Sequence, residues 1–377
     1  MLIEISTLKN YPSTNLNRDE TGAPKSMVFG GVERGRISSQ SIKRAVRQSK
    51  IFKNALVSKL GTRTRKIGDL VIPVLKELGV DESYFTSVVN LLSGLGTGDK
   101  KSKKDESETE EANGTSQLMF YSIEDKIAIG KAIKTLIEEK GSVKEFSKVK
   151  VSDLEKMLKD ADVRPITLDI ALFGRMPTSP AFKIVDASVQ VAHAMGVNKL
   201  VKETDFFTAV DDLMPNGGAA MIGDIEYNST CYYQYFNLDT DQLLSNLKYS
   251  EYKEEEINIV IGELIKAYLY SNPSGKQGSF AGHVVPEVVL VEIKENKIPV
   301  NYANAFVTPS RPENGKNLVE NSVIKLVNEV NIIDKKYCLP LIKRFWLDLR
   351  DIQAPNNCEA VEDINNLVEG IINTLKK

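Results

Sequence analysis

The amino-acid sequence predicts an α+β fold: an antiparallel sheet covered by helices on one side, interrupted by an all-helical insertion and a protruding hairpin arm. Three observations predict it. Strand-like apolar patterns recur in widely separated stretches, at 2–8, 164–174, 182–197, 227–239 and 284–294. Between about 60 and 160 the apolar period is helical throughout. A Pro-Asn-Gly-Gly turn at 215–218 divides the segment 199–225 as the tip of an arm would. Without the insertion and the arm, the order is strand, helix, strand, strand, strand, helix, strand, close to a βαββαβ unit.

Each element has its own warrant. Residues 2–8 alternate loosely, as a first strand does. The stretch "NYPSTNLNRDETGAPKSMVFGG" that follows is rich in Pro, Asn, Asp and Gly, which mark irregular backbone. Ile37 to about Leu56 reads as a helix with Ser38 or Ser39 at its N-cap and Ile42, Ala45, Val46 and Ile51 as its buried stripe. Lys43, Arg47 and Lys50 fall together on another face. In the insertion, "IGDLVIPVLKELGV", "SYFTSVVNLLSGL", "SIEDKIAIGKAIKTLIEEK" and "KVSDLEKMLKDA" are helices. The polar stretch about 95–116 lacks any apolar period and is expected to be disordered. "YNSTCYYQYFNLD" is a strand rich in β-formers. "EEEINIVIGELIKAYLY" is an amphipathic helix and "VVPEVVLVEIK" a buried strand, with two more helices near 317–331 and 359–375.

At 377 residues, 42% hydrophobic and 27% charged, the chain has globular composition. No run approaches the roughly 20 apolar residues of a membrane span. The start, "MLIEISTLKN", has no basic lead and long apolar stretch, so a strand is expected there and not a secretory signal. Three well-separated cysteines argue against a disulfide framework and suit a reducing, cytoplasmic setting. Two histidines and no CxxC leave little material for a zinc site, and no cofactor is expected.

Charge is segregated. Residues 1–66 hold fourteen Lys and Arg against four acids, a net +10, so the rest carries −12 within the total of −2. Such asymmetry hints at a polyanionic partner. Its focus is "GGVERGRISSQSIKRAVRQS" at 30–49, with Arg34, Arg36, Lys43, Arg44 and Arg47 after paired glycines. The start of a helix suits a phosphate, and Gly30–Gly31 would let backbone approach a ligand closely. Upstream, Arg18 and Lys25 lie in a loop able to fold over the same surface. No base-reading pattern accompanies the cluster, so its contacts would position a strand without specifying sequence. A sheet of the βαββαβ kind often reads single-stranded RNA.

Other candidates carry two readings each. Arg175 and Met176, in "FGRMPTSP", sit at the end of an expected strand, where a methionine is ordinarily core. Phe206, Phe207 and Val210 lie on the arm and either form its own small core or wedge against nucleobases. "SGKQGSFAG" at 274–282 lacks the spacing of a phosphate-binding loop for nucleotide hydrolysis, yet Lys276 and Gln277 on a flexible glycine loop could touch RNA. His193 and His283 read as structural. Asp19 is the nearest approach to a catalytic carboxylate, with no second carboxylate set to hold a metal.

The segment "PSTNLNRDETGAPKSMVFGGVERGRISSQSIKRAVR" resembles the start of the CasC family, the backbone subunit of the type I-E CRISPR complex Cascade. The likeness continues through "DIALFGRMPTSP", "VDASVQVAHAM", "DFFTAVDDL", "STCYYQYFNLD", "GKQGSFAGHVVP" and "YANAFVTP". It implies a modified RRM/ferredoxin-like palm (1–58, 161–199 and 225–377), a helical fingers insertion (59–160) and a β-hairpin thumb (200–224). Copies would stack head to tail along the guide crRNA beside the large, small, handle-binding and crRNA-processing subunits. Target DNA would be met through the guide, without catalysis. By matching motifs, Arg18, Lys25, Ser38, Gln40, Lys43, Arg44 and Arg47 would hold the guide's backbone, and Phe207, Val210 and Met176 would bracket a displaced nucleotide. Phe206 stands where another large aromatic is expected. Backbone subunits of type III complexes resemble this palm too and cut RNA with a loop aspartate and a divalent metal, a role that would fall to Asp19. A freestanding single-strand-binding protein is the third reading.

Overall fold

The computed structural model describes residues 1–56, 59–96, 114–115, 117–163, 165–213 and 219–376. The chain divides into two compact units, one of 1–55, 189–240 and 254–377, the other of 56–188 with 241–253. The second unit thus takes in 161–188, which the sequence places with the sheet. In chain order the strands are β1 (Leu2–Thr14), β2 (Ser26–Phe29) and β3 (Val32–Ile37) in the first unit. β4 (Thr62–Thr64) and β5 (Met119–Tyr121) follow in the second. β6 (Val189–Val191), β7 (Ala194–Gly196), β8 (Glu203–Val210) and β9 (Ala219–Asp239) return to the first, with β10 (Val288–Lys294), β11 (Lys343–Asp348) and β12 (Glu359–Ala360).

The first unit is built on one mixed sheet of order β12-β11-β10-β1-β9-β7-β3-β2, with β6 and β8 also paired to β9. β11 and β12 run parallel and the other neighbours antiparallel. β1 lies at the centre, bonded to β10 from Leu2↔Lys294 to Leu8↔Val288 and to β9 from Leu2↔Asp239 to Tyr11↔Thr230. It outruns the expected 2–8 because β9 goes on pairing with it to Thr14, past a register shift after Tyr11, where Pro12 has no N–H to give the ladder.

Helices cover both faces of this sheet, and not the expected one. On one face Leu8, Tyr233, Tyr235, Leu290 and Trp346 share a core with Val323, Leu326 and Val330 of the helix Leu318–Tyr337. On the other, the Phe236 ring lies 4.8 Å from that of Tyr268 in the helix Glu254–Tyr270. Just past that helix, Ser271 and Asn272 accept hydrogen bonds from the Lys9 ammonium and the Tyr11 hydroxyl. Among the described residues, neither face of the sheet's centre is therefore left bare.

Two further expectations are corrected. "LDIALF" at Leu168–Phe173 is a helix, not a strand. Residues 168–172 are all buried, and an apolar run without a polar face looks the same in either state. The helix expected over 37–56 is two, Ser39–Gln48 and Lys50–Ala55. Ser49 is extended between them, and its hydroxyl oxygen accepts from the Phe52 N–H, capping the second. Phe52 is buried in place of Ile51, and Lys50 falls beyond the face shared by Lys43 and Arg47.

In the second unit the helices Ile67–Glu77, Phe85–Ser93, Ile123–Lys140 and Val151–Ala161 close on a core that includes Val71, Leu75, Val88, Leu92, Ile129 and Leu154. Of the polar stretch 95–116, residues 97–113 and 116 lie outside the described residues, as does the 215–218 turn. Among the described residues no helix is long and apolar enough to cross a membrane.

Candidate nucleic-acid interface

The basic surface grows from two backbone links and one side-chain link at one end of the sheet. The loop between β1 and β2 is folded back on itself by Asp19, whose Oδ1 accepts from the Thr21 N–H, the Thr21 hydroxyl and the Ala23 N–H. These donors hold its carboxyl below the usual carboxylate range. The Lys25 N–H donates to Asn17 O and the Arg36 N–H to Lys25 O, so the loop's cation lies beside that of β3. Asn17 Oδ1 then accepts from the Ser38 N–H, joining the loop to the start of the helix Ser39–Gln48.

That helix start resolves the choice of cap. Ser38 is extended and its Oγ accepts from the Ser41 N–H. The Ser39 N–H is taken by His193 Nδ1, at 3.0 Å from the link between β6 and β7. Two of the N–H groups expected to greet a phosphate are thus engaged within the chain. The glycine pair is likewise accounted for: Gly30 and Gly31, both at positive φ, form the two-residue turn between β2 and β3. A β-carbon on Gly30 would come within 2.2 Å of the Val307 carbonyl oxygen, so the close approach is to the chain itself.

The cations divide by burial. Arg34 is fully buried, and its guanidinium donates to the carbonyls of Gly196, Val197, Phe306 and Val307 at 2.9–3.1 Å. It holds the fold and is lost to the surface charge. Two residues on, Arg36 is half-buried and its Nε has no hydrogen-bond partner among the described residues. Arg18, Gln40 and Arg44 are exposed, and Lys25, Lys43 and Arg47 half-buried. Burial lowers the Lys43 pKa. Of the residues the sequence nominated, Lys25, Arg36 and Ser38 are joined directly by these links, and Gln40, Lys43, Arg44 and Arg47 follow on the helix that Ser38 caps.

The remaining nominees are distributed otherwise. Arg175 lies in the second unit after a helix and Gly174, and its guanidinium is committed to Asp125 Oδ2 at 2.5 Å and to the Lys183 carbonyl. Being 4% exposed, it is a structural ion pair and is withdrawn as a contact. Met176 beside it is 77% exposed, so it is not core. On the hairpin, Phe207 faces Gly223 across the ladder and rests over it, where a β-carbon would meet the ring at 2.6 Å. Strand alternation puts Phe206 with Val210 on the opposite face, 67% and 65% exposed. Phe206, rather than Phe207, thus shares a face with Val210. The loop at 274–282 contains a single helical turn, Gln277–Phe280, instead of free glycine backbone. Gln277 Nε2 donates to Pro273 O and Gly282 O and closes that loop, leaving the half-buried Lys276 as its cation. No sequence signal marked His193 or Asn17, because their partners lie on distant elements.

Among the described residues, no three His, Cys, Asp or Glu side chains cluster to hold a metal ion.

The family described as CT1975-like protein matches residues 3–370. A chain of a solved "CRISPR RNA-guided surveillance complex, pre-nicking" is similar over 99% of both chains, at 25% identity and a TM-score of 0.81. A chain of another "CRISPR RNA-guided surveillance complex" is similar over 100% of both, at 21% identity and a TM-score of 0.61. No curated protein matches the chain.

Proposed function

The chain belongs to the CT1975-like protein family, and from that premise we propose that it is the backbone subunit of a type I-E CRISPR RNA-guided surveillance complex in the cytoplasm. It grips the sugar–phosphate backbone of the guide RNA without cutting it and leaves the bases free to pair with target DNA. In this reading β10-β1-β9-β7 with the helices Ser39–Gln48 and Glu254–Tyr270 is an RRM-like palm, and β8 with the outer half of β9 is the thumb that reaches a neighbouring copy. The observation that carries it is the convergence of Lys25, Arg36 and the capped helix with Lys43, Arg44 and Arg47 at one rim of the sheet. That set positions phosphates and reads no base edge. Asp19 supports the non-cutting reading, since one of its carboxylate oxygens, Oδ1, is engaged by its own loop.

A head-to-tail interface does not close on itself. Purified chain mixed with RNA of increasing length should form particles whose mass rises in steps with that length; a fixed dimer at every length would reject the model. If about four cations per subunit meet phosphates, the log of affinity falls against log salt with a slope near −3 per subunit, from about −0.7 per contact. Lys43→Ala with Arg47→Ala should flatten that slope by about 1.4 for all RNA sequences alike, measured by fluorescence anisotropy.

A further inference from the structure

We propose that His193 is a further contact of the guide-holding site, donating a hydrogen bond from Nε2 to a backbone oxygen of the RNA. The inference rests on the function proposed above. Its geometry is specific. Nδ1 accepts from the Ser39 N–H at 3.0 Å, so in the neutral ring the proton sits on Nε2. The ring is exposed, and among the described residues Nε2 makes no hydrogen bond. The backbone on either side of it is fixed: Ala192 N–H donates to Tyr235 O, and Ala194 pairs with Ile37 in the ladder. The imidazole is thus a donor set in place before any ligand arrives.

Its surroundings select the acceptor. Burial, then the charges of Arg36 and Lys25, hold its pKa below the ordinary value, which favours the neutral ring. A further donor beside two cations at the start of a helix is matched by a phosphate or hydroxyl oxygen of a sugar–phosphate chain, not by another cation or an apolar group. The same ring has a second task, because its other nitrogen holds the first N–H of the basic helix.

Two substitutions separate the tasks. His193→Asn keeps an acceptor near the Nδ1 position and removes the outer donor; His193→Gln places an amide N–H near Nε2 and removes the inner acceptor. Binding of the full chain to a single-stranded RNA, and to DNA of the same sequence, is measured for both, with Lys43→Ala as a control and circular dichroism melts to verify folding. The expected result is a loss of about tenfold for Asn and little change for Gln. An equal loss on RNA and DNA assigns a phosphate oxygen, and a loss on RNA alone assigns the ribose 2′-hydroxyl. Unchanged binding of the Asn variant, or an equal loss in both folded variants, overturns the contact. If Lys43→Ala binds as the parent does, the guide-holding reading fails instead.

Discussion

The two halves of β9 share one strand and one partner geometry yet live in different surroundings. From Asn228 to Leu238 nearly every residue is buried, with Phe236 against Tyr268 on one face and Tyr233 and Tyr235 in the core on the other. From Met221 to Glu226 the same strand, paired only with β8, has Met221 and Ile222 about 60% exposed, opposite a hairpin that also bares Phe206 and Val210. A two-stranded ribbon with apolar side chains on both faces gains little by itself. The inner half is apolar to hold the fold; the outer half is apolar for something outside the sheet, which the proposed function identifies as displaced bases and a neighbouring copy.

Substituting one ring in each half breaks that contrast if it is mistaken. Phe236→Ala should cost roughly 3–5 kcal/mol of stability, seen as a lowered denaturant midpoint, because it opens a cavity in a closed core. Phe206→Ala should leave that midpoint within about 0.5 kcal/mol and weaken RNA binding by about 1–3 kcal/mol per stacked base. A destabilised Phe206→Ala chain with full RNA affinity would make the hairpin's apolar residues a private core.

A pH dependence sharpens the comparison from the side of the inner half. Lys9, opposite Tyr232 on β9, is buried with its ammonium donating to the Ser271 carbonyl, and burial brings its pKa from 10.5 down to about 7. The unfolded chain binds the extra proton between those values. Stability therefore rises as pH climbs from 7 toward 10.5 and is lowest, in this respect, below 7. Lys9→Met should raise the melting midpoint most below pH 7 and flatten its rise above 7; an unaltered pH profile would show that Lys9 does not titrate in the fold.

Where side-chain periodicity was strong, the sequence was a sufficient guide. The helix Glu254–Tyr270 has the residues that "EEEINIVIGELIKAYLY" marks, and the helices expected in the insertion are all present. The paired-glycine turn and the helix at Leu168–Phe173 were misread for a common reason. What the glycines approach is Val307, and what fixes the helix is burial on all sides; neither is set by neighbours close in sequence.

The primary structure alone determined the segregation of charge, the helix and strand periods, and the family to which the chain belongs. Only the tertiary structure decided which cations face outward. Arg34 and Arg36 have the same parity on β3, so alternation cannot tell them apart. Arg34 is drawn inside because carbonyls 162 to 273 residues away converge on its guanidinium, and among the described residues the Arg36 Nε finds none. A charge can be buried only where acceptors replace its water, and that supply depends on how distant segments meet.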